Sequence, residues 1–112
     1  MLDVWRLEEA FGDDGTGIAD LLEMALETGR KHRRALEDGL AAGDASVVAR
    51  AAHGIKGSAG TIGANVVYGL AMELDARART GDLDGARERI DAIGDAYARV
   101  AEEVRAYRAS LT

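Results

Sequence analysis

Between positions 51 and 64 the chain reads AAHGIKGSAGTIGA, with one histidine, one lysine and four glycines in a stretch that otherwise favours helix. Glycine in a helix interior costs on the order of 1 kcal/mol relative to alanine, so something other than helix stability must set these positions. Imidazole is the side chain here that can act as a nucleophile or proton carrier near neutral pH. On a helical wheel, His53 points roughly 150° away from the mean direction of Val48, Ala51, Ala52, Ile55, Ala59 and Ile62, which places it on the solvent side. Its neighbours three and four residues away are Arg50, Lys56, Ala49 and Gly57, with Ser46 and Gly60 about one turn further off. Two cations in those places oppose protonation of the ring and would pair with a dianionic group attached to it. Ser46, Ala49, Gly57 and Gly60 leave a flat approach, so they are the expected docking surface for another protein's backbone. Taken singly, each residue has an ordinary explanation: a solvated lysine, a glycine that lets helices approach, a helix stop. The specificity lies in the whole string.

The elements that must position this histidine are helices. Proline is absent, alanine is abundant, and aromatic residues make up 4% of the chain, so helix propensity summed over long windows is high. Apolar or small residues recur at three- and four-residue spacing through Ile18, Leu21, Leu22, Ala25, Gly29, Leu36 and Leu40, which predicts one long amphipathic helix. Gly43 followed by Asp44 reads as a glycine stop and then an N-cap for the helix that carries His53. A third stripe runs through Val67, Leu70, Ala71, Leu74 and Ala78 after a break at 63–65, and "TGDLDGA" at 80–86 repeats the glycine–aspartate punctuation. Ala86, Ile90, Ile93, Tyr97, Val100, Val104, Tyr107 and Leu111 then alternate three and four like heptad a and d positions. Short connections make sequential helices antiparallel, and four one-sided stripes bury best around a common axis. The expected fold is all-α, an up-down-up-down four-helix bundle. "LDVWRLEEAF" is expected to add a short capping helix laying Trp5, Leu2 and Phe11 over one end, with "GDDGTG" as a flexible turn.

Length and charge set the remaining bounds. A chain of 112 residues without repeats or low-complexity linkers is one domain, 1–112. The net charge of −6, with both signs interspersed, argues against a nucleic-acid surface. Cysteine is absent, which removes disulfides and thiolate metal sites and fits a reducing, cytoplasmic setting. Neither a signal peptide nor a membrane-spanning run is present in the sequence.

With these residues placed, AAHGIKGSAGTIGA resembles the signature of histidine-containing phosphotransfer (Hpt) domains, H-x-x-K-G-[small]-[small]-x-x-x-G-A, matched by His53, Lys56, Gly57, Ser58, Ala59, Gly63 and Ala64. The family's following helix is similar to Val67, Leu70, Ala71, Leu74 and Asp75, and the likeness extends from about Leu21 to about Tyr107. The resemblance implies a phosphorelay intermediate of bacterial two-component signalling. In that role His53 takes a phosphoryl group from the aspartyl phosphate of one receiver domain and passes it to the aspartate of another. Lys56 would steady the phosphoryl oxygens, Arg50 is a second candidate for that task, and Gly57 would admit the partner. The implied partners are response-regulator receiver domains and a hybrid histidine kinase. The implied protein is a monomeric phosphohistidine carrier rather than an autonomous kinase, with no cofactor of its own, since Mg²⁺ belongs to the receiver. Consistent with that, no G-x-x-x-x-G-K-[ST] loop is present to cradle a nucleotide. Three departures stand out: Ala25, where many members place phenylalanine, Gly60, where larger residues are common, and His32, around which family chains often have apolar residues.

Rival chemistries fare worse on the same residues. A di-metal carboxylate bundle needs inward Glu-x-x-His pairs, yet Arg50 precedes His53 by three and Gly29 precedes His32 by three. A hydrolase needs a nucleophile beside His53, and Ser58 lies on another side of the helix. His32, at the edge of the first stripe, is expected to be a boundary residue without chemistry. Two alternatives remain: a non-catalytic adaptor that docks receivers or kinases, and the phosphotransfer portion of a larger chemotaxis or hybrid kinase. The start at Met1 leads us to expect a stand-alone protein.

Overall fold

Four long helices run through the computed structural model, which describes residues 2, 7–9, 12 and 15–111. They are α1 (Gly15–Ala41), α2 (Ala45–Ile62), α3 (Asn65–Arg79) and α4 (Ala86–Ala109), and no strand occurs among the described residues. At 1.5 Å per residue α1 alone is about 40 Å long, and it sets the long dimension of a 45 × 20 × 17 Å rod. Each helix packs on its neighbour in the chain, and α4 closes the ring by packing on α1. No helix of the described residues is long and apolar enough to cross a membrane.

The core is what the periodicities predict, with instructive exceptions. Val48, Ala51, Ala52, Ile55, Ala59 and Ile62 of α2 are all buried, as are Ile90, Ile93, Tyr97, Val100 and Val104 of α4. In α1, Ile18, Leu22, Gly29 and Leu36 are buried, joined by Ala19, Leu26 and Gly39, while Leu21, Ala25 and Leu40 lie half-buried at the edge. Leu111, counted with the last stripe, is exposed, because α4 ends at Ala109 and the seam ends with it.

Two glycine turns hold α2 in register. Gly43 and Gly63 take φ of 64° and 72°, the left-handed region that glycine enters without Cβ strain. At both, the following N–H reaches five residues back, Asp44 to the Gly39 carbonyl at 2.8 Å and Ala64 to the Ala59 carbonyl at 2.9 Å. Asp44 caps α2 by accepting from the N–H groups of Ser46 and Val47 at 3.1 and 3.3 Å. His53 therefore sits in the rigid middle of a helix pinned at both ends.

The glycine–aspartate punctuation after α3 is met in its first half only. Gly81 takes φ of 82° and the Asp82 N–H reaches the Arg77 carbonyl at 3.1 Å, so α3 ends on the same kind of glycine stop. Asp82 does not cap α4: it accepts the Asp84 N–H at 2.9 Å and pairs with Arg77 at 3.6 Å, and α4 starts from Gly85 with no side-chain bond. The reason is loop length: residues 80–85 are enough for Asp82 to close its own turn before α4 starts. At the other end, α1 begins at Gly15, inside the stretch expected to be a turn. Residues 7–9 are helical, Leu7 is buried, and the half-buried Leu2 donates its N–H to Glu103 at 3.0 Å. Trp5 and Phe11, expected to cap the bundle, lie outside the described residues.

Helix contacts depend on absent side chains as much as on present ones. A Cβ at Gly39 would stand 2.9 Å from Val47 Cγ1 and 3.0 Å from Val48 Cγ2, so α1 crosses the start of α2 through a notch. A Cβ at Gly57 would meet nothing within 4 Å. Urea titration should therefore separate the two positions. Gly39→Ala is expected to lose about 1 kcal/mol net, the overpacking cost exceeding the helix-propensity gain, whereas Gly57→Ala is expected to gain up to about 1 kcal/mol.

Candidate functional site

Small residues meet where α2 and α3 pack beside His53: Ala49 of α2 and Ala78 of α3 are both buried and line one cleft with Asp75, and the two helices pack more extensively than any other pair among the described residues. That closeness lets a side chain of α3 reach beneath a side chain of α2. Asp75, on the margin of the α3 stripe next to Leu74, is the buried charged residue so placed, at 4% exposure.

Its carboxylate gathers the site around it. Arg79, one turn later on α3, grips both oxygens, with Nε 2.8 Å from Oδ1 and the terminal nitrogen 3.1 Å from Oδ2. Such a two-point fork is the stronger kind of carboxylate contact. Lys56 Nζ lies 3.8 Å from Oδ2, and His53 Nδ1 lies 3.4 Å from the same oxygen. Burial pushes the Asp75 carboxyl up; the bonds from Arg79 and His53 and the charges of Arg79 and Lys56 outweigh it and hold the group below its ordinary value.

His53 stands above this carboxylate with 60% of its side chain exposed. Its Nδ1 also lies 3.4 Å from the terminal nitrogen of Arg79. One nitrogen cannot donate to Asp75 and accept from Arg79 at once. Arg79 makes its shorter bonds to the carboxylate, at 2.8 and 3.1 Å. An unprotonated Nδ1 would turn its lone pair toward the Asp75 oxygen at 3.4 Å, so the carboxylate favours the tautomer with the proton on Nδ1 and the lone pair on Nε2.

The remaining candidates divide. Lys56 is half-buried with its ammonium drawn toward Asp75, while Arg50 is exposed on the other flank. A cleft of about 610 Å³ runs beside the ring, with Ser46, Arg50 and Arg79 along it. Gly57 is open to solvent, and a Cβ at Gly60 would touch the Tyr68 ring at 3.4 Å. Ala49 corrects the expected open face: it is buried and forms the floor of the cleft, because it faces α3. Ser46 lines the cleft while its hydroxyl donates to Asp44 at 2.7 Å, so it also serves the helix cap. The electrostatic expectation also changes. The sequence suggested two flanking cations, whereas the site holds a third, Arg79, and a carboxylate at the centre. An acid at the edge of an apolar stripe four residues before an arginine, as Asp75 stands before Arg79, is the signal that could have found both. His32 is half-buried as expected, its ring lying over α2 where a Cβ at Gly54 would be 2.5 Å from its Cε1.

The model of the Hpt domain family matches residues 20–103, a span that takes in His53, Lys56, Asp75 and Arg79. This chain belongs to the Hpt domain family. Among solved structures, the Hpt domain is similar to the crystal structure of histidine-containing phosphotransfer protein B (HptB) from Pseudomonas aeruginosa PAO1. The TM-score is 0.85 and the identity 28%, over 94% of this chain and 89% of that one. No curated protein matches the chain.

Asp75 also ties this Hpt domain's stability to pH. A carboxyl depressed on folding contributes stability above its unfolded pKa, about 4, and loses it as pH falls through the lower folded value. In acid titrations followed by helicity, the Asp75→Asn variant is expected to lose stability less steeply below about pH 4 than the wild type, while being less stable at pH 7.

Proposed function

We infer that this Hpt domain is a phosphorelay intermediate of bacterial two-component signalling, with His53 as its phosphoacceptor. The observation that carries the reading is an imidazole, 60% exposed, whose Nδ1 lies 3.4 Å from a buried carboxylate. In the forward step the Nε2 lone pair attacks the phosphorus of a receiver's aspartyl phosphate. The N–P bond forms, the bond from phosphorus to the receiver's carboxylate oxygen breaks, and the carboxylate leaves with its electron pair. The ring gains positive charge, which the Asp75 carboxylate offsets through the Nδ1 proton. The reverse sequence delivers the group to another receiver aspartate.

Phosphoryl transfer asks mainly for alignment and charge stabilisation, and the site residues fit those tasks. Lys56 is the first candidate for the phosphoryl oxygens, Arg79 joins it, and Arg50 is a weaker third across the cleft. Gly57 and Gly60 give the partner's backbone close approach beside the ring, and Ser46 and Ala49 shape the cleft next to it. Mg²⁺ is brought by the receiver. The reading carries with it receiver domains and a hybrid histidine kinase as partners, a monomeric state and a cytoplasmic setting.

We also read the helices as an up-down-up-down antiparallel bundle whose N-terminal segment caps one end. The contacts between helices support it: Gly39 lies by Val47 while Gly54 lies by His32, and Gly60 lies by Tyr68 while His53 lies by Asp75. Along α1 and α4, Glu37 pairs with Arg87 at 2.8 Å, and Asp20 and Glu23 pair with Arg108 at 2.7 and 2.8 Å.

Incubation with a phosphorylated receiver domain and Mg²⁺ tests the function. Acid-labile, base-stable label is expected on the wild type and none on His53→Gln, with helicity unchanged. Asp75→Asn is expected to accept label about tenfold more slowly, a loss of ~1.4 kcal/mol in transition-state stabilisation. Label that persists on His53→Gln, or no label from any receiver of the source genome, would contradict the reading.

A further inference from the structure

Residues 57–72, GSAGTIGANVVYGLAM, form the longest run without a charged side chain in a chain where 30% of residues are charged. Burial accounts for part of it, since Ala59, Ile62, Ala64, Val67 and Ala71 belong to the core. It does not account for the rest. Gly57, Thr61 and Asn65 are exposed, and so are Val66, Tyr68 and Met72, at 45%, 39% and 49%. Those last three are the majority of the five large apolar side chains exposed among the described residues. A solvated helix face would carry Glu and Lys in such places.

Two of the three share an edge with the phosphoacceptor site. On a wheel at 100° per residue, Tyr68, Met72, Asp75 and Arg79 fall within about 60° of one another, whereas Val66 turns about 120° away from Met72. The contacts agree. The Tyr68 ring lies against α2 where a Cβ at Gly60 would be 3.4 Å from it, and Asp75 and Arg79 each come within 3.4 Å of His53. Met72 stands three residues before Asp75 and Tyr68 seven, about 5 and 10 Å along α3.

Transfer to or from a receiver brings its aspartate onto the His53 ring, so the receiver's surface must be centred there. An interface of about 800 Å² a side reaches roughly 16 Å from its centre, far enough to take in both residues. The footprint is charged at Arg50 and Arg79, which line the cleft beside the ring, and apolar at Met72 and Tyr68. By themselves the two side chains expose on the order of 200 Å², well short of what lasting self-association needs. They fit a partner that is held at the phosphoryl site as well and must leave once the group has moved. Tyr68 is already packed against α2 and loses little freedom on binding, while a methionine adapts its shape to more than one surface. A relay intermediate needs both properties, since it docks a donor and an acceptor.

We propose that Tyr68 and Met72 are the apolar anchor of the receiver domain, which lies along α3 and packs an apolar surface next to its aspartyl phosphate over these two side chains. The proposal rests on the phosphorelay reading above and assigns the residues that set how tightly a receiver is held. They are positioning residues, acting on docking and not on the transfer step.

The test compares two phosphoryl donors on the wild type, Tyr68→Ala, Met72→Ala and the double variant, each first checked for helicity. One donor is a phosphorylated receiver domain with Mg²⁺. The other is phosphoramidate, a small donor that passes its phosphoryl group to imidazole and leaves as ammonia, with no surface to dock. The double variant is expected to raise KM for the phosphorylated receiver about tenfold, with the rate at saturation within about twofold of the wild type. Its labelling by phosphoramidate is expected to match the wild type, and Met72→Leu is expected to keep the wild-type KM. An unchanged KM in the double variant, with His53 still labelled by both donors, overturns the proposal and leaves the relay reading standing. An equal loss with both donors places the defect in the His53 site itself and also overturns it. So does a wild-type dimer in sedimentation equilibrium that the double variant dissolves, because the face then belongs to a second copy. Absence of label on the wild type from every receiver of the source genome overturns the relay reading, and the proposal with it.

Discussion

One buried carboxylate organises the functional face of this protein. Asp75 has almost no contact with water, so its charge must be answered by the protein, and the answer comes from Arg79, Lys56 and the Nδ1 side of His53. A buried ion is tolerated only when paired and hydrogen-bonded. The same pairing that makes Asp75 tolerable orients the imidazole and holds two cations within a few ångströms of it. Stability and preparation for chemistry are here the same set of contacts.

That arrangement requires α2 and α3 to lie close together, which the alanines of the seam allow. The four glycines that interrupt the histidine's helix have different surroundings. Gly54 lies beneath the His32 ring, Gly57 is open where a partner would approach, Gly60 faces the Tyr68 ring, and Gly63 closes the helix in the left-handed conformation. The fold itself requires glycine at 54 and 63, whereas a Cβ would be accommodated at 57 and 60.

Most of the fold was legible because helical periodicity reports burial directly. The α2 stripe and the outward direction of His53 follow from spacing alone, and the Gly43–Asp44 turn follows from the chemistry of the two residues. Asp75 was harder to read. An acid beside Leu74 looks like an ordinary solvated residue until α2 is packed over it, and that packing depends on interhelical distance, which no local pattern encodes. Arg79 shares the difficulty, since it comes within 3.4 Å of the histidine only once α3 is packed against α2. In the α3–α4 loop the glycine stop was legible, at Gly81, but the aspartate after it was not, because "GD" specifies a turn without saying which backbone the carboxylate will bond. Asp82 spends its carboxylate on the loop itself, and Gly85 starts the helix. Ala49 was misplaced for a geometric reason: four residues from His53 on the wheel, it rotates into the seam rather than onto the open face.

The tautomer of His53 is the most direct measure of the central claim, because the account needs a proton on Nδ1, facing Asp75, and a lone pair on Nε2. Long-range ¹H–¹⁵N correlation spectra of the imidazole, recorded above the pH at which the ring is protonated, distinguish the two nitrogens by their shifts. The account predicts an Nδ1–H tautomer in the wild type that gives way to the Nε2–H form in Asp75→Asn or Asp75→Ala. An Nε2–H tautomer in the wild type, or a pattern indifferent to Asp75, would contradict it.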